Sequence, residues 1–145
     1  MRRNYPDKPV KVYFLGTCLA DMLYAEAGMA GIRLLEREGV KVIYPREQTC
    51  CGQPAFNSGF QEEALEVALH QINCFPKAYP ILVISGSCSA MMVRHYLELF
   101  EGHPLEQKAI EFSLRIFELS EFLHHVLKIR LKDRGVPVKV TWHTS

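Results

Sequence analysis

The chain has no long apolar run. None approaches the roughly 18 residues of a membrane-spanning helix, and its longest apolar stretches are strand-sized. Met1 to Pro9 is polar and interrupted by Pro6 and Pro9, without the apolar centre of a secretory signal. A cytoplasmic location with no membrane insertion is expected. An excess of one charge is also missing: 17 Lys and Arg against 16 Asp and Glu leave a formal net charge of +1. The densest basic patch, Lys128 to Arg134, follows an apolar helical stretch and has no interleaved aromatics. It reads as a solvated helix end, and no nucleic acid is expected. No glycine-rich dinucleotide loop is present, which argues against a bound nicotinamide. Paired carboxylates suited to acid–base work are not apparent, since Glu62-Glu63 reads as the first turn of a helix.

What is present is an ordinary globular composition. Of 145 residues, 48% are hydrophobic and 23% charged, enough to bury a core in one domain spanning 1–145 without disulfide staples. Val10 to Gly16 reads as a first strand, Val40 to Tyr44 as a second and Ile81 to Ile84 as a third. Between them lie helical spacings over Leu19 to Glu38, with Met22, Leu23, Ala30, Leu34 and Leu35 on one face, and over Phe60 to Phe75. Arg46 to Gly59 is a polar loop. A helix follows from about Ala90 to Phe100, and helical spacing resumes over Leu105 to Ile129. Val136 to Trp142 reads as a last strand. Strands alternating with helices predict an α/β fold: a mainly parallel sheet of about four strands with helices on both faces.

Five cysteines remain. The count is odd and a reducing compartment is expected, so structural disulfides are not. Cys18 lies just after the first predicted strand, Cys50 and Cys51 in the loop after the second, and Cys88 just after the third. In an open parallel sheet these loops share one edge, where ligands bind. Four distant thiols are therefore expected to converge, and His143 follows a predicted strand too. Cys74, near a helix end, reads as plain packing. Zinc accepts Cys₄ sites, but structural zinc loops space their cysteines, and adjacent Cys50 and Cys51 point apart if the backbone is extended. A polynuclear iron–sulfur cluster accommodates neighbouring thiolates on different irons. Gly52 and Gly86 are candidate cofactor-binding positions, allowing close backbone approach and N–H bonds to sulfide.

The pattern of Cys18, 31 residues, Cys50-Cys51, 36 residues beginning with Gly52, and Cys88, with the stretch Gln48 to Gly59, resembles the CCG cysteine-rich domain. That domain is found in heterodisulfide reductase, in the iron–sulfur subunits of glycolate oxidase and anaerobic glycerol-3-phosphate dehydrogenase, and in the lactate utilization protein A family. The last is the most similar. The resemblance implies a Rossmann-like fold and an iron–sulfur electron-transfer component of L-lactate oxidation, working with other subunits of a lactate oxidation complex. It implies Cys18, Cys50, Cys51 and Cys88 as metal ligands. Cys88 is followed by Ser89-Ala90-Met91 where the reductase has C-x-x-C, so a fifth thiolate is missing and an ordinary [4Fe–4S] cluster is implied. The family carries the module twice, so 1–145 is expected to be the first repeat, with the second missing after residue 145.

Two other readings fit parts of the sequence. Cys88 to Arg94 matches the C-x₅-R loop of cysteine-dependent phosphatases, with Cys88 as nucleophile and Arg94 holding oxyanions. Against it, Met91, Met92 and Val93 would crowd a phosphate, and the other three cysteines are left unexplained. A non-catalytic interaction module, forming a homodimer through surface left by the missing half, is the third.

Overall fold

In the computed structural model, residues 3–130, 132, 135–139 and 141 are described. Four parallel strands form the sheet: β1 (Lys11–Leu15), β2 (Lys41–Ile43), β3 (Ile81–Val83) and β4 (Ile116–Glu118), in the order β2-β1-β3-β4. The expected fold class is observed. β1 lies between β2 and β3, and its partners are offset. β2 pairs with Lys11 to Tyr13, whereas β3 pairs with Tyr13 to Leu15. The end of β1 nearest the following loop therefore has a strand on one side only.

Both faces of the sheet are covered, which is why the strands are nearly all apolar. Tyr13, Leu15, Ile81, Val83 and Ile116 meet helices α4 (Gln61–Asn73), α6 (Tyr96–Leu99) and α7 (Glu106–Leu114). Val12, Phe14, Leu82 and Phe117 meet α2 (Ala25–Arg37) and α8 (Leu119–His125). Alternation along each strand divides the side chains between the two clusters. Gly31 on α2 permits the close approach there: a Cβ would lie 3.3 Å from the Phe14 ring and 3.0 Å from Leu119.

Three expectations are corrected. The stretch Leu19 to Glu38 is two helices, α1 (Cys18–Leu23) and α2, parted at Tyr24. Met22, Leu23 and Ala30 are exposed, and the buried face is Gly31 and Leu35. The cause is position: α1 lies beyond the end of β1 and packs on α2, so no sheet is there to cover. Second, the loop 46–59 contains a short helix, α3 (Gln53–Asn57), with Pro54 in its first turn where a missing N–H costs nothing. Third, the fourth strand is Ile116–Glu118, inside the run read as helical, and not 136–142. Residues 136–139 and 141 form no strand, while Val140 and Trp142 lie outside the described residues. Arg115 fixes the switch from helix to strand. Its guanidinium donates to the carbonyls of Tyr79, Phe75 and Lys77, which ties the start of β4 to the segment before β3. Glu118 then opens α8 through a reciprocal capping box with Glu121.

After β3 the chain enters α5 (Gly86–Ala90), then a π-helical turn over Met91–His95, then α6. In that wide turn the Tyr96 N–H reaches back five residues to the Met91 carbonyl. Among the described residues no helix is long and apolar enough to cross a membrane.

Candidate metal centre

The strand-end cysteines stand in two pairs, Cys18 with Cys50 and Cys51 with Cys88, and each pair feels charge on the other. Cys18 is the first residue of α1, behind Thr17, whose side chain accepts from the Ala20 N–H at 3.4 Å and caps the helix. Thr17 holds φ at 42°, a region a β-branched residue rarely adopts, and it is buried. Cys18 Sγ lies 3.7 Å from Cys50 Sγ. Cys51 is a core residue, 3% exposed, with Cys50 and Cys88 packed against the same cluster. Cys88 lies in the first turn of α5, beneath the Ser85 cap.

Two side chains fix the Cys50-Cys51 loop through its backbone, and Gln48 ties it to the end of β1. Gln71, fully buried on α4, accepts from the Thr49 N–H at 2.9 Å. Tyr96, fully buried on α6, donates its hydroxyl to the Cys51 carbonyl at 3.0 Å. Gln48 reaches back to β1, accepting from Gly16 N–H at 2.9 Å. Gln71 Nε2 is the one buried side-chain polar atom among the described residues without a partner.

The thiols perturb one another. The interaction of Cys51 with Cys88, together with burial, drives the Cys51 pKa far up, and the same interaction lowers Cys88 to about 6. The Ser85 and Ser87 hydroxyls also favour the Cys88 thiolate, and burial opposes it. Burial pushes Cys18 up, with help from its hydrogen bond to Cys50 and the nearby charge of Cys50 and Cys88. Tyr96 is raised well above its ordinary value, first by burial and then by the charge of Cys51, Cys50 and Cys88.

The donor set is four sulfurs spread over three loops. Among the described residues no three His, Cys, Asp or Glu side chains are arranged around a single metal ion. Four sulfur donors, two of them adjacent in sequence, fit in kind a group with several metal atoms.

Cys74 follows α4, 3.5 Å from His70 Nε2 and 3.4 Å from the Glu47 carbonyl, packed against the core. Gly52 has φ 83°, and a Cβ there would come 3.3 Å from the Ala64 carbonyl, so glycine is required by the turn and by α4. Gly86 has neither a positive φ nor any atom within 4 Å of an added Cβ. Arg94 is exposed in the π-turn, while Met91 and Met92 are fully buried. The segment after Cys88 is helical, with the Ser89 N–H already spent on the Ser85 carbonyl at 3.0 Å, so it does not form a phosphate cradle. His143 lies outside the described residues. Sequence reasoning missed Gln48, Gln71 and Tyr96. Only Gln48 had a usable signal, as a neighbour of the cysteine pair.

The sequence is similar to known proteins. The profile of the CCG cysteine-rich domain matches residues 12–93. Lactate utilization protein A of Halalkalibacterium halodurans is 42% identical over 137 residues, covering 94% of this chain and 56% of the relative. Its namesake in Geobacillus kaustophilus is also 42% identical, over 94% of this chain and 57% of its own. That of Shouchella clausii is 43% identical over 130 residues, 89% and 54% of the two chains. The chain thus spans about half the length of the curated relatives it matches. No solved structure shows a significant match.

Proposed function

The chain belongs to the CCG cysteine-rich domain family, and we propose that it is an iron–sulfur electron-transfer component of a system that oxidises L-lactate, a 2-hydroxy acid. In this reading Cys18, Cys50, Cys51 and Cys88 hold a [4Fe–4S] cluster, and other subunits of a lactate oxidation complex carry the chemistry of the substrate. The observation that carries it is the pairing of thiols from three strand-end segments, Cys18 Sγ with Cys50 Sγ at 3.7 Å and Cys51 beside Cys88. The names of the relatives support the lactate system.

When bound, such a cluster supplies a one-electron carrier. The chain's own residues prepare for it. Cys88 is already inclined to the thiolate that ligation requires. Cys51 sits in the core, so one ligand is anchored by packing as well as by coordination. Tyr96 and Gln71 hold the loop backbone, leaving the thiols little freedom to spread.

Anaerobic reconstitution with iron and sulfide, followed by metal analysis and EPR, tests the proposal. The expected result is cluster uptake by the unaltered chain and by Cys74→Ser, and its loss in Cys51→Ser. Equal uptake by Cys51→Ser, or none by the unaltered chain, sinks it.

A further inference from the structure

Strand β2 stops early, and the chemistry of Pro45 explains why. In the register Lys11↔Lys41 and Tyr13↔Ile43, the next position at which β2 would bond β1 faces Leu15 with Pro45. In a parallel ladder the residue facing Leu15 donates its N–H to the Phe14 carbonyl and accepts from the Gly16 N–H. Proline has no N–H to give. The Gln48 side chain makes both bonds instead: Nε2 donates to Phe14 O at 3.2 Å, and Oε1 accepts from Gly16 N–H at 2.9 Å. Its second Nε2 proton goes to Pro45 O at 2.9 Å. A primary amide carries two donors and an acceptor, whereas an ionised carboxylate carries acceptors only. From this substitute rung both segments run two residues further, to Cys18 and to Cys50, whose sulfurs lie 3.7 Å apart.

We propose that Gln48 is a positioning residue: its amide completes the edge of β1 in place of Pro45 and thereby sets the separation of Cys18 and Cys50. The purpose assigned to this rests on the cluster-holding reading above. The geometry does not, and neither does the thiol measurement that tests it.

In the reduced, metal-free chain, oxidised glutathione exchanges with two neighbouring thiols. The Cys18–Cys50 disulfide forms, and glutathione disulfide leaves as two thiols, so two electrons pass from the protein pair to glutathione. The equilibrium, read by alkylation trapping and peptide mass mapping, gives the effective concentration of one thiol at the other. Gln48→Leu, which removes the rung, is expected to lower it by about tenfold. Gln48→Glu keeps an acceptor for Gly16 but sets oxygen against the Phe14 and Pro45 carbonyls at pH 8. It is expected to fall likewise, and it carries the test should Gln48→Leu fail to fold. Glu118→Ala, which loosens the distant α8 cap, should leave the value unchanged. A folded Gln48→Glu chain with the unaltered chain's value overturns the proposal, as does an equal fall in Glu118→Ala. Iron and sulfide uptake is scored separately. Failure of the unaltered chain to load counts against the cluster and leaves the thiol equilibrium standing.

Discussion

The two faces of the sheet draw on the same four strands, one residue out of phase, yet they do different work. The face covered by α2 and α8 is built on Phe14, Phe117 and Phe122, and its cluster contains no cysteine. The face covered by α4, α6 and α7 includes Cys51, with Cys50 and Cys88 against it, and two of its aromatics carry polar tips that reach loop backbone. Tyr96 donates to the Cys51 carbonyl, and Tyr13 accepts from the Lys77 N–H at 3.3 Å. On this face core and site are continuous. A change made there for packing is also felt by the thiols, whereas the opposite face can be altered for stability alone.

That contrast can be broken by substitution. Phe122→Ala, on the cysteine-free face, is expected to cost about 3–5 kcal/mol in urea unfolding, as buried Phe truncations do, while the folded fraction keeps the unaltered Cys18–Cys50 exchange equilibrium. A shifted equilibrium would mean that the faces are not separable. Tyr96→Phe, on the cysteine face, removes one hydroxyl and leaves the Cys51 carbonyl unpaired. It is expected to cost about 1–2 kcal/mol and to change the alkylation rate of Cys88, an effect absent from Phe122→Ala. Glu118→Ala removes the cap of α8 and is expected to cost about 1 kcal/mol, with thiol chemistry untouched.

A further effect is a drift with pH in the metal-free chain. Cys88 falls to about 6 in the fold from an ordinary thiol value near 9. Between these values the folded state has lost a proton that the unfolded state keeps, so this contribution to stability grows as pH rises and vanishes below about 6. Cys51 is shifted the other way and takes stability back above the ordinary thiol range. The gap in urea midpoint between the unaltered chain and Cys88→Ser should therefore widen from pH 6 to 8. A flat difference would show that the fold does not favour the Cys88 thiolate.

Much of this was legible from residue order alone. Val12 to Leu15 and Ile81 to Val83 are apolar on both sides because both faces are covered, and the cysteines follow their strands closely enough for topology to gather them. β4 was hidden because three residues carry too little pattern between two helical spacings, and because what ends α7 is Arg115 bonding carbonyls about 35 to 40 residues away in sequence. The break at Tyr24 has no breaker residue to announce it. It follows from where the sheet ends, which sequence spacing does not record. The partners of the cysteine loop were hidden for a related reason: Gln71 and Tyr96 act on backbone atoms 22 and 45 residues away. Gln48 is the instructive middle case, since a proline at the next rung of β2 already leaves a carbonyl in need of a donor.

The wide turn at Met91–His95 makes length, and not only composition, part of the centre. An α-helix advances about 100° per residue, so removing one residue from that turn would swing everything after it by that angle and carry the Tyr96 hydroxyl off the Cys51 carbonyl. The exposed and half-buried positions Val93, Arg94 and His95 should thus accept exchanges of side chain, but the stretch from Cys88 to Tyr96 should accept no gain or loss of a residue. A single-codon deletion there would act on the thiols as severely as replacing one of them.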